Sequence, residues 1–275
     1  MSATISDQRP ENLLLFGASG QIGSFLLPRL QALRLRFSPV SRQASTEPGA
    51  LSFDVYNDVK ARGQFDALLS AGPLDGCVRW LNAQPGGLQR VVAFASTSAV
   101  SKQHSPDPAE RALANKLIRA EAELVELCQA RGAALTILRP TMIWGAGRDA
   151  TLSRAAGLAR RWRFLPCSGR ARRQPVHADD LACVALTALL RRSTPQPYYD
   201  LPGGETLAMQ EILRRIAHSV RALALPFPAR LFRVLGAGVR ARLDNECLFD
   251  SGPAQCDLNY APRGFTPNAA DWEIR

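Results

Sequence analysis

The chain has 275 residues, 46% of them hydrophobic and 21% charged, a make-up that fits a folded globular protein and excludes a disordered one. Its formal net charge is +10, with lysine only at positions 60, 102 and 116 and arginine supplying the other basic residues. These arginines are spread over many segments, although 160–173 is dense, and no zinc-finger, helix-turn-helix or RNA-binding signature occurs, so nucleic acid is not an expected partner.

Residues 1–12 are polar, and no run reaches the ~18 apolar residues of a membrane-spanning helix. A cytoplasmic protein is expected. The six cysteines form no C-x-x-C pair, and the three histidines lack metal-ligand spacing, so neither disulfides nor a metal site are expected.

Leu13-Leu14-Leu15-Phe16 reads as a short buried strand. Gly17, Gly20 and Gly23 follow at a spacing of G-x-x-G-x-x-G, and 22–33 reads as an amphipathic helix with Ile22, Phe25, Leu26, Leu30 and Leu33 on one side. Strand, glycine turn and helix in this order suit a dinucleotide. The first glycine makes the tight turn, the second admits backbone N–H groups to the pyrophosphate, and the third lets helix and strand pack closely. Gly17, Ala18, Ser19, Gly20, Gln21, Ile22 and Gly23 are therefore candidate cofactor-binding residues.

The second strand, 35–40, ends in Ser41-Arg42 with no acid nearby. A ribose 2′-hydroxyl would call for a carboxylate here, whereas a guanidinium fork suits a 2′-phosphate. NADP(H) is accordingly favoured over NAD(H). Asp54, after a third strand at 51–53, is placed to accept from the adenine amino group, and a plain helix cap would look the same. Val55, Ala71 and Pro140 complete the expected cofactor contacts.

Strands at 66–70, 90–95 and 133–138 alternate with helices at 57–63, 75–83 and 108–130. The longest helix, with Leu113, Leu117, Leu124, Leu127 and Cys128 at helical spacing, is a candidate homodimer surface. Beyond Trp144 helices are expected at 152–162, at 179–190 with Asp179 as cap, and at 206–220 with Thr206 opening it. Residues 226–243 alternate apolar clusters with Arg230, Arg233, Arg240 and Arg242. A helix packed on its own lobe is preferred there over one lying on a membrane surface.

The alternation predicts an α/β fold, a Rossmann doubly wound parallel sheet with a smaller C-terminal substrate lobe. The expected division is a nucleotide-binding domain over 1–145, joined by a returning helix at 177–192, and a lobe from 146–176 and 193–275.

Several segments together carry a family resemblance. They are Gly17 to Gly23, Arg90-Val91-Val92-Ala93-Phe94-Ala95-Ser96-Thr97-Ser98, Leu138-Arg139-Pro140-Thr141-Met142-Ile143-Trp144-Gly145 and Arg173-Gln174-Pro175-Val176-His177-Ala178-Asp179-Asp180. Tyr199-Asp200-Leu201-Pro202-Gly203-Gly204 and the tail around Pro262 to Phe265 complete the set. In order and spacing the chain resembles the short-chain dehydrogenase/reductase superfamily, in its extended epimerase/dehydratase branch or an atypical offshoot. The resemblance implies a nicotinamide cofactor and a small-molecule substrate, most commonly a nucleotide sugar.

That family holds the substrate oxygen with a Ser or Thr after the fifth strand and moves the proton with the tyrosine of Y-x-x-x-K. Ser96, or Thr97 one step on, stands for the hydroxyl, and Lys116 for the lysine, which puts Ala112 at the tyrosine position. If Glu121 matches the family's later glutamate, the lysine and tyrosine positions become Leu117 and Leu113. Neither alignment supplies a phenol, since the tyrosines are Tyr56, Tyr198, Tyr199 and Tyr260. Three readings follow. Lys102, His104, Asp107 or Glu110 replaces the tyrosine; the protein binds the cofactor without turnover; or the basic segments serve a phosphate ligand or a membrane surface.

On the substrate side, Arg173 aligns with an arginine that clamps a sugar-nucleotide diphosphate, with Arg170 and Arg172 adding charge. Pairing of Arg173 with Asp179 or Asp180 is the competing expectation. Met142 replaces a substrate-contacting asparagine and Trp144 a tyrosine, which implies a more apolar pocket. His177 and Asp180 are expected to hold the returning helix.

Overall fold

A computed structural model describes residues 9–41, 51–52, 64–83, 86–227 and 246–274. With elements numbered in chain order, its central sheet has seven strands. From one edge to the other these are β11 (Tyr198–Leu201), β6 (Ala134–Pro140), β5 (Arg90–Phe94), β4 (Ala67–Ser70), β1 (Leu13–Phe16), β2 (Phe37–Ser41) and β3 (Leu51–Ser52). Every neighbouring pair is parallel, with Leu13 opposite Phe37 on one side and Ala67 on the other. The expected doubly wound parallel sheet is present.

β1 is a run of four buried residues because the sheet is covered on both faces. Leu13 and Leu15 join one core with α1 (Gly23–Ala32) and α6 (Ala178–Leu190). Leu14 and Phe16 join the other, with α2 (Leu74–Asn82) and α4 (Pro108–Arg131). Strand periodicity thus feeds both layers from one tetrapeptide. The ends of α4 follow the expected chemistry: Asp107 accepts from the Ala109 N–H, Pro108 starts the helix and Gly132 ends it at φ 65°.

A third core gathers Trp144, Leu165, Phe265 and Trp272 with α5 (Leu152–Trp162) and α7 (Met209–Ser219). Three short pairs frame it and its approach: β10 (Val176–His177) on β7 (Ile143–Trp144), β12 (Leu207–Ala208) on β9 (Arg172–Arg173), and β13 (Leu223–Pro226) on β8 (Phe164–Cys167). The short helices α3 (Ser98–Ser101) and α8 (Gly252–Leu258) and a 3-10 turn at Ala269–Trp272 complete the described elements.

The structure departs from the sequence expectations at several places. Residues 198–201, assigned to the smaller lobe, form the seventh sheet strand, because β6 leaves an edge that Tyr198–Leu201 pairs with. His177, not Asp179, caps α6: its Nδ1 accepts from the Asp179 N–H at 3.0 Å. The Asp179 carboxylate is drawn instead to Arg29 and Arg263. Thr206 does not open α7, since Leu207–Ala208 pairs as a strand before the helix starts at Met209. The helix expected at 57–63 lies outside the described residues, and of 226–243 only Pro226 and Phe227 are described. Among the described residues no helix is long and apolar enough to cross a membrane, and no cluster of side chains could hold a metal ion.

Candidate functional site

In a doubly wound sheet the ligand crevice opens beyond the carboxyl ends of the strands, where the strand order reverses. Here that point lies between β1 and β4. The two strand ends touch: the Ala71 N–H donates to the Phe16 carbonyl at 2.9 Å. Gly17 sits at φ 75°, and a Cβ on it would fall 2.5 Å from the Ala71 carbonyl carbon. The Gly20 N–H donates to the Gly17 carbonyl at 2.9 Å, and a Cβ on Gly23 would lie 2.1 Å from that same oxygen. Only glycine fits at 17 and 23, so the chain turns as tightly as the spacing requires.

The turn delivers the start of α1 to the crevice. That start has no side-chain cap and no acidic residue in its first turn. Its positive end thus meets no carboxylate of its own, the condition for holding a diphosphate. The residues present fit a dinucleotide. Ala18 and Ile22 are buried in the core and fasten the turn to it. Gln21 sends its Nε2 to the Gly145 carbonyl at 2.8 Å and so joins the turn to the loop after β7. Ser41 ends β2, whereas Arg42, Asp54 and Val55 lie outside the described residues.

At the end of β5 the two candidate hydroxyls differ. Thr97 is 5% exposed, and both its N–H and its Oγ1 donate to the Pro140 carbonyl, at 3.2 and 3.1 Å. Its hydroxyl proton is committed to the joint between β5 and β6. Ser96 is half-buried, and its Oγ accepts from the Ser98 N–H at 3.1 Å, which leaves the hydroxyl proton to donate elsewhere. The Thr97 contact also gives Pro140 a structural part as acceptor.

Lys116 is placed away from this hydroxyl. Its Nζ lies 2.9 Å from the Asp75 carboxylate of α2, with the side chain 63% exposed. A cavity of about 450 Å³ between α2 and α4 is lined there by Asp75, Arg79, Asn115, Lys116, Arg119 and Glu123. Glu121, five residues further on, points into the protein and makes a two-point ion pair with Arg139 of β6. Arg139 belongs to Leu138-Arg139-Pro140, so this pair ties α4 to the strand that carries that segment. Arg139 was not singled out in the sequence.

The loop before α4 uses most of its charge internally. Lys102 pairs with Glu110 at 3.0 Å, Glu110 also accepts from the Ser105 hydroxyl at 2.7 Å, and Asp107 is the helix cap. His104 is exposed.

The substrate-side residues also divide. Arg173 is buried, its Nη1 donates to the Arg172 carbonyl at 2.9 Å, and burial pulls its guanidinium below the ordinary value. Pairing of Arg173 with Asp179 or Asp180 is absent, because Arg263 takes both acids. Arg172 faces outward onto Glu246 at 2.7 Å. Met142 is half-buried against the third core. Trp144 does not make a pocket more apolar. It is fully enclosed, 4.5 Å from the His177 ring and 5.0 Å from that of Phe265. His177 holds the junction, with Nε2 3.5 Å from the Asp271 carboxylate and the ring filling the space beside Gly145. Asp180 ties α6 to the tail through Arg263.

No protein-family model matches the sequence, and no curated protein is similar to it at the level of sequence. Solved structures do match. The chain is similar to UDP-N-acetylglucosamine 4-epimerase from Bacillus cereus, with a TM-score of 0.68 at 14% identity over 95% of this chain and 94% of that one. UDP-glucuronic acid 4-epimerase from Bacillus cereus, in complex with NAD, gives 0.69 at 15% identity, covering 94% and 96%. The Thermus thermophilus UDP-glucose 4-epimerase, also in complex with NAD, gives 0.68 at 16%, covering 94% and 97%. The chain shares the fold of these epimerases, and the likeness is one of structure at low sequence identity.

Proposed function

We propose that the protein binds a nicotinamide dinucleotide at the Gly17–Gly23 turn and acts on a carbinol or ketone carbon of a small molecule, as an oxidoreductase or epimerase. One observation carries this reading: the glycine turn packs against Ala71 at the sheet's reversal point and presents an α1 terminus with no acid of its own. The neighbours named above act on UDP-sugars, which supports a nucleotide sugar as the substrate class. The preference for NADP(H) rests on Arg42 and is a proposal from sequence.

A bound nicotinamide would supply hydride transfer at its ring. Within the chain, the backbone of residues 17–23 holds the diphosphate, and the Ser96 hydroxyl orients the reacting oxygen. Thr97 fixes the position of Ser96 by anchoring β5 to Pro140. Proton transfer falls to a group other than a phenol. His104, exposed on the loop that precedes α4, carries the side-chain type suited to it.

A second reading, cofactor binding without turnover, is favoured by one observation: α4 carries no tyrosine, and its single lysine, Lys116, is engaged by Asp75. Nicotinamide fluorescence, followed while NADPH and NADH are titrated separately, tests the shared premise. Binding of neither at millimolar concentration ends both readings, and tighter NADH binding overturns the Arg42 argument. A turnover screen against UDP-sugars and simple ketones, repeated with Ser96→Ala, then separates the two.

A further inference from the structure

The parallel pair β8–β13 has one face in the third core and one face bare. Leu165 packs inward, whereas Phe164 and its register partner Leu223 point outward at 39% and 68% exposure, with Leu225 beside them at 43%. Trp162, at the end of α5, is 49% exposed and stacks on Phe164 with ring centroids 6.1 Å apart. A large indole, a phenyl ring and two leucines thus form one contiguous apolar surface on an edge strand, more than isolated surface hydrophobes produce.

The neighbouring sequence is basic, with Glu273 reaching Arg160 at 3.9 Å. From residue 150 to residue 178 the sequence holds seven arginines and no acid, and 220–227 adds Arg221, again without an acid. Arg161 and Arg163 alternate with Trp162 and Phe164, and Arg161, Arg163 and Arg221 are exposed, with no acidic partner among the described residues. Arg160 is turned aside, its Nη2 donating to the Ala269 carbonyl at 2.7 Å.

We propose that this face, Trp162, Phe164, Leu223 and Leu225 ringed by Arg161, Arg163 and Arg221, docks the protein on an anionic lipid bilayer. The indole and leucines enter the headgroup boundary while the guanidinium groups meet lipid phosphates, the division that interfacial segments use. Charge selects this occupant. A neutral protein face would satisfy the apolar centre and leave the arginines desolvated beside no anion. The docking stands apart from the glycine turn and does not depend on cofactor use.

The test exploits an accident of composition. Of the four tryptophans, Trp80, Trp144 and Trp272 are buried, so Trp162 is the one that vesicles can reach. The full-length chain is mixed with vesicles of phosphatidylcholine alone or of phosphatidylcholine with phosphatidylglycerol, while tryptophan emission and co-sedimentation are followed. The expected result is a blue shift with phosphatidylglycerol only, quenching by brominated lipid, and loss of binding at high salt. Arg161→Ala and Arg163→Ala each weaken binding about fivefold. Leu223→Ser with Leu225→Ser abolishes it with the circular dichroism unchanged.

Equal binding to neutral vesicles overturns the proposal. So does emission that is already blue-shifted and unmoved by lipid, the sign that another part of the chain or a second copy covers the face. Capture of an acidic protein with no response to phosphatidylglycerol overturns it as well.

Discussion

Glu121 of α4 and Arg139 of β6 meet side by side, with Arg139 Nε donating to one carboxylate oxygen at 2.9 Å and Nη2 to the other. The Tyr198 ring lies 4.3 Å from the guanidinium carbon and covers the pair from the sheet's edge strand. The Glu121 side chain is 3% exposed, so removing either partner leaves a charge with no water to turn to. Glu121→Ala is expected to cost about 3–5 kcal/mol in urea unfolding. The double replacement Glu121→Leu with Arg139→Met recovers only part of that loss, because Asp200, half-buried beside the pair, then loses the cation that faces it.

In the register that aligns Glu121 with the family's later glutamate, the tyrosine and lysine positions are Leu113 and Leu117. Leu113→Tyr together with Leu117→Lys places a phenol and an ammonium one turn apart in the register set by Glu121. If Ser96 orients substrate, this double variant raises coenzyme-dependent turnover about a hundredfold, the ordinary contribution of a positioned acid–base group. Ala112→Tyr, in the register centred on Lys116, gives no gain. Stopped-flow absorbance of the reduced nicotinamide reads both.

Ser96 and Thr97 should separate chemistry from stability. Thr97→Val removes the donor to the Pro140 carbonyl and costs about 1 kcal/mol in unfolding free energy. Ser96→Ala changes stability by less than about 0.5 kcal/mol. It lowers turnover while leaving coenzyme affinity as it was.

Gly20→Ala tests the turn with the least damage to the fold, since the tightest contact of its Cβ would be the Gly17 carbonyl oxygen, at 3.0 Å. Coenzyme affinity is expected to fall at least about tenfold, or 1.4 kcal/mol, with the thermal midpoint little changed. Gly23→Ala, whose Cβ would lie 2.1 Å from that oxygen, unfolds at a markedly lower temperature.

Acid sensitivity should centre on α7. Hydrogen bonds from Arg214 and Arg215 outweigh the opposing effect of burial and hold the Glu211 carboxyl at about 2. Arg215 also holds Glu205 below the usual carboxylate range, and it donates to the Phe265 carbonyl at 2.8 Å. A folded-state value below the unfolded one means stability that is complete above about pH 4.5. That stability is lost as pH falls towards 2. Urea midpoints at pH 6 and pH 3 should therefore differ by less in Glu211→Gln than in the parent chain.

The first half of the fold was legible because its signals are local. The four apolar residues of β1, the glycine spacing and the capped run 108–131 each state their structure within a few residues of chain. What was misread depends on distant partners. Asp179 looks like a cap, but Arg29 and Arg263 claim its carboxylate and leave capping to the His177 ring. Residues 198–201 fall in the expected lobe, 193–275, until β6 offers them a free edge. Trp144 seems a pocket residue by alignment, yet Phe265 and Trp272, more than a hundred positions away, enclose it. Lys116 could be assigned by spacing, but its direction is set by Asp75 on a different helix. Arg42, Asp54 and Val55, the basis of the cofactor preference, lie outside the described residues and keep that preference a matter of sequence.

The sheet's edge strand has a consequence for how the polypeptide is made. A ribosome releases β1 through β6 long before residues 198–201, so the nascent sheet waits with β6 as a bare edge and Arg139 uncovered by Tyr198. The anchor of α1 comes later still, since Asp179, which grips Arg29, is itself fastened by Arg263, 84 residues further along. A chain released only as far as β6 is therefore sticky along one side and loose at the helix that follows the glycines, which makes synthesis of the stretch from β6 to Arg263 the interval in which a chaperone matters most.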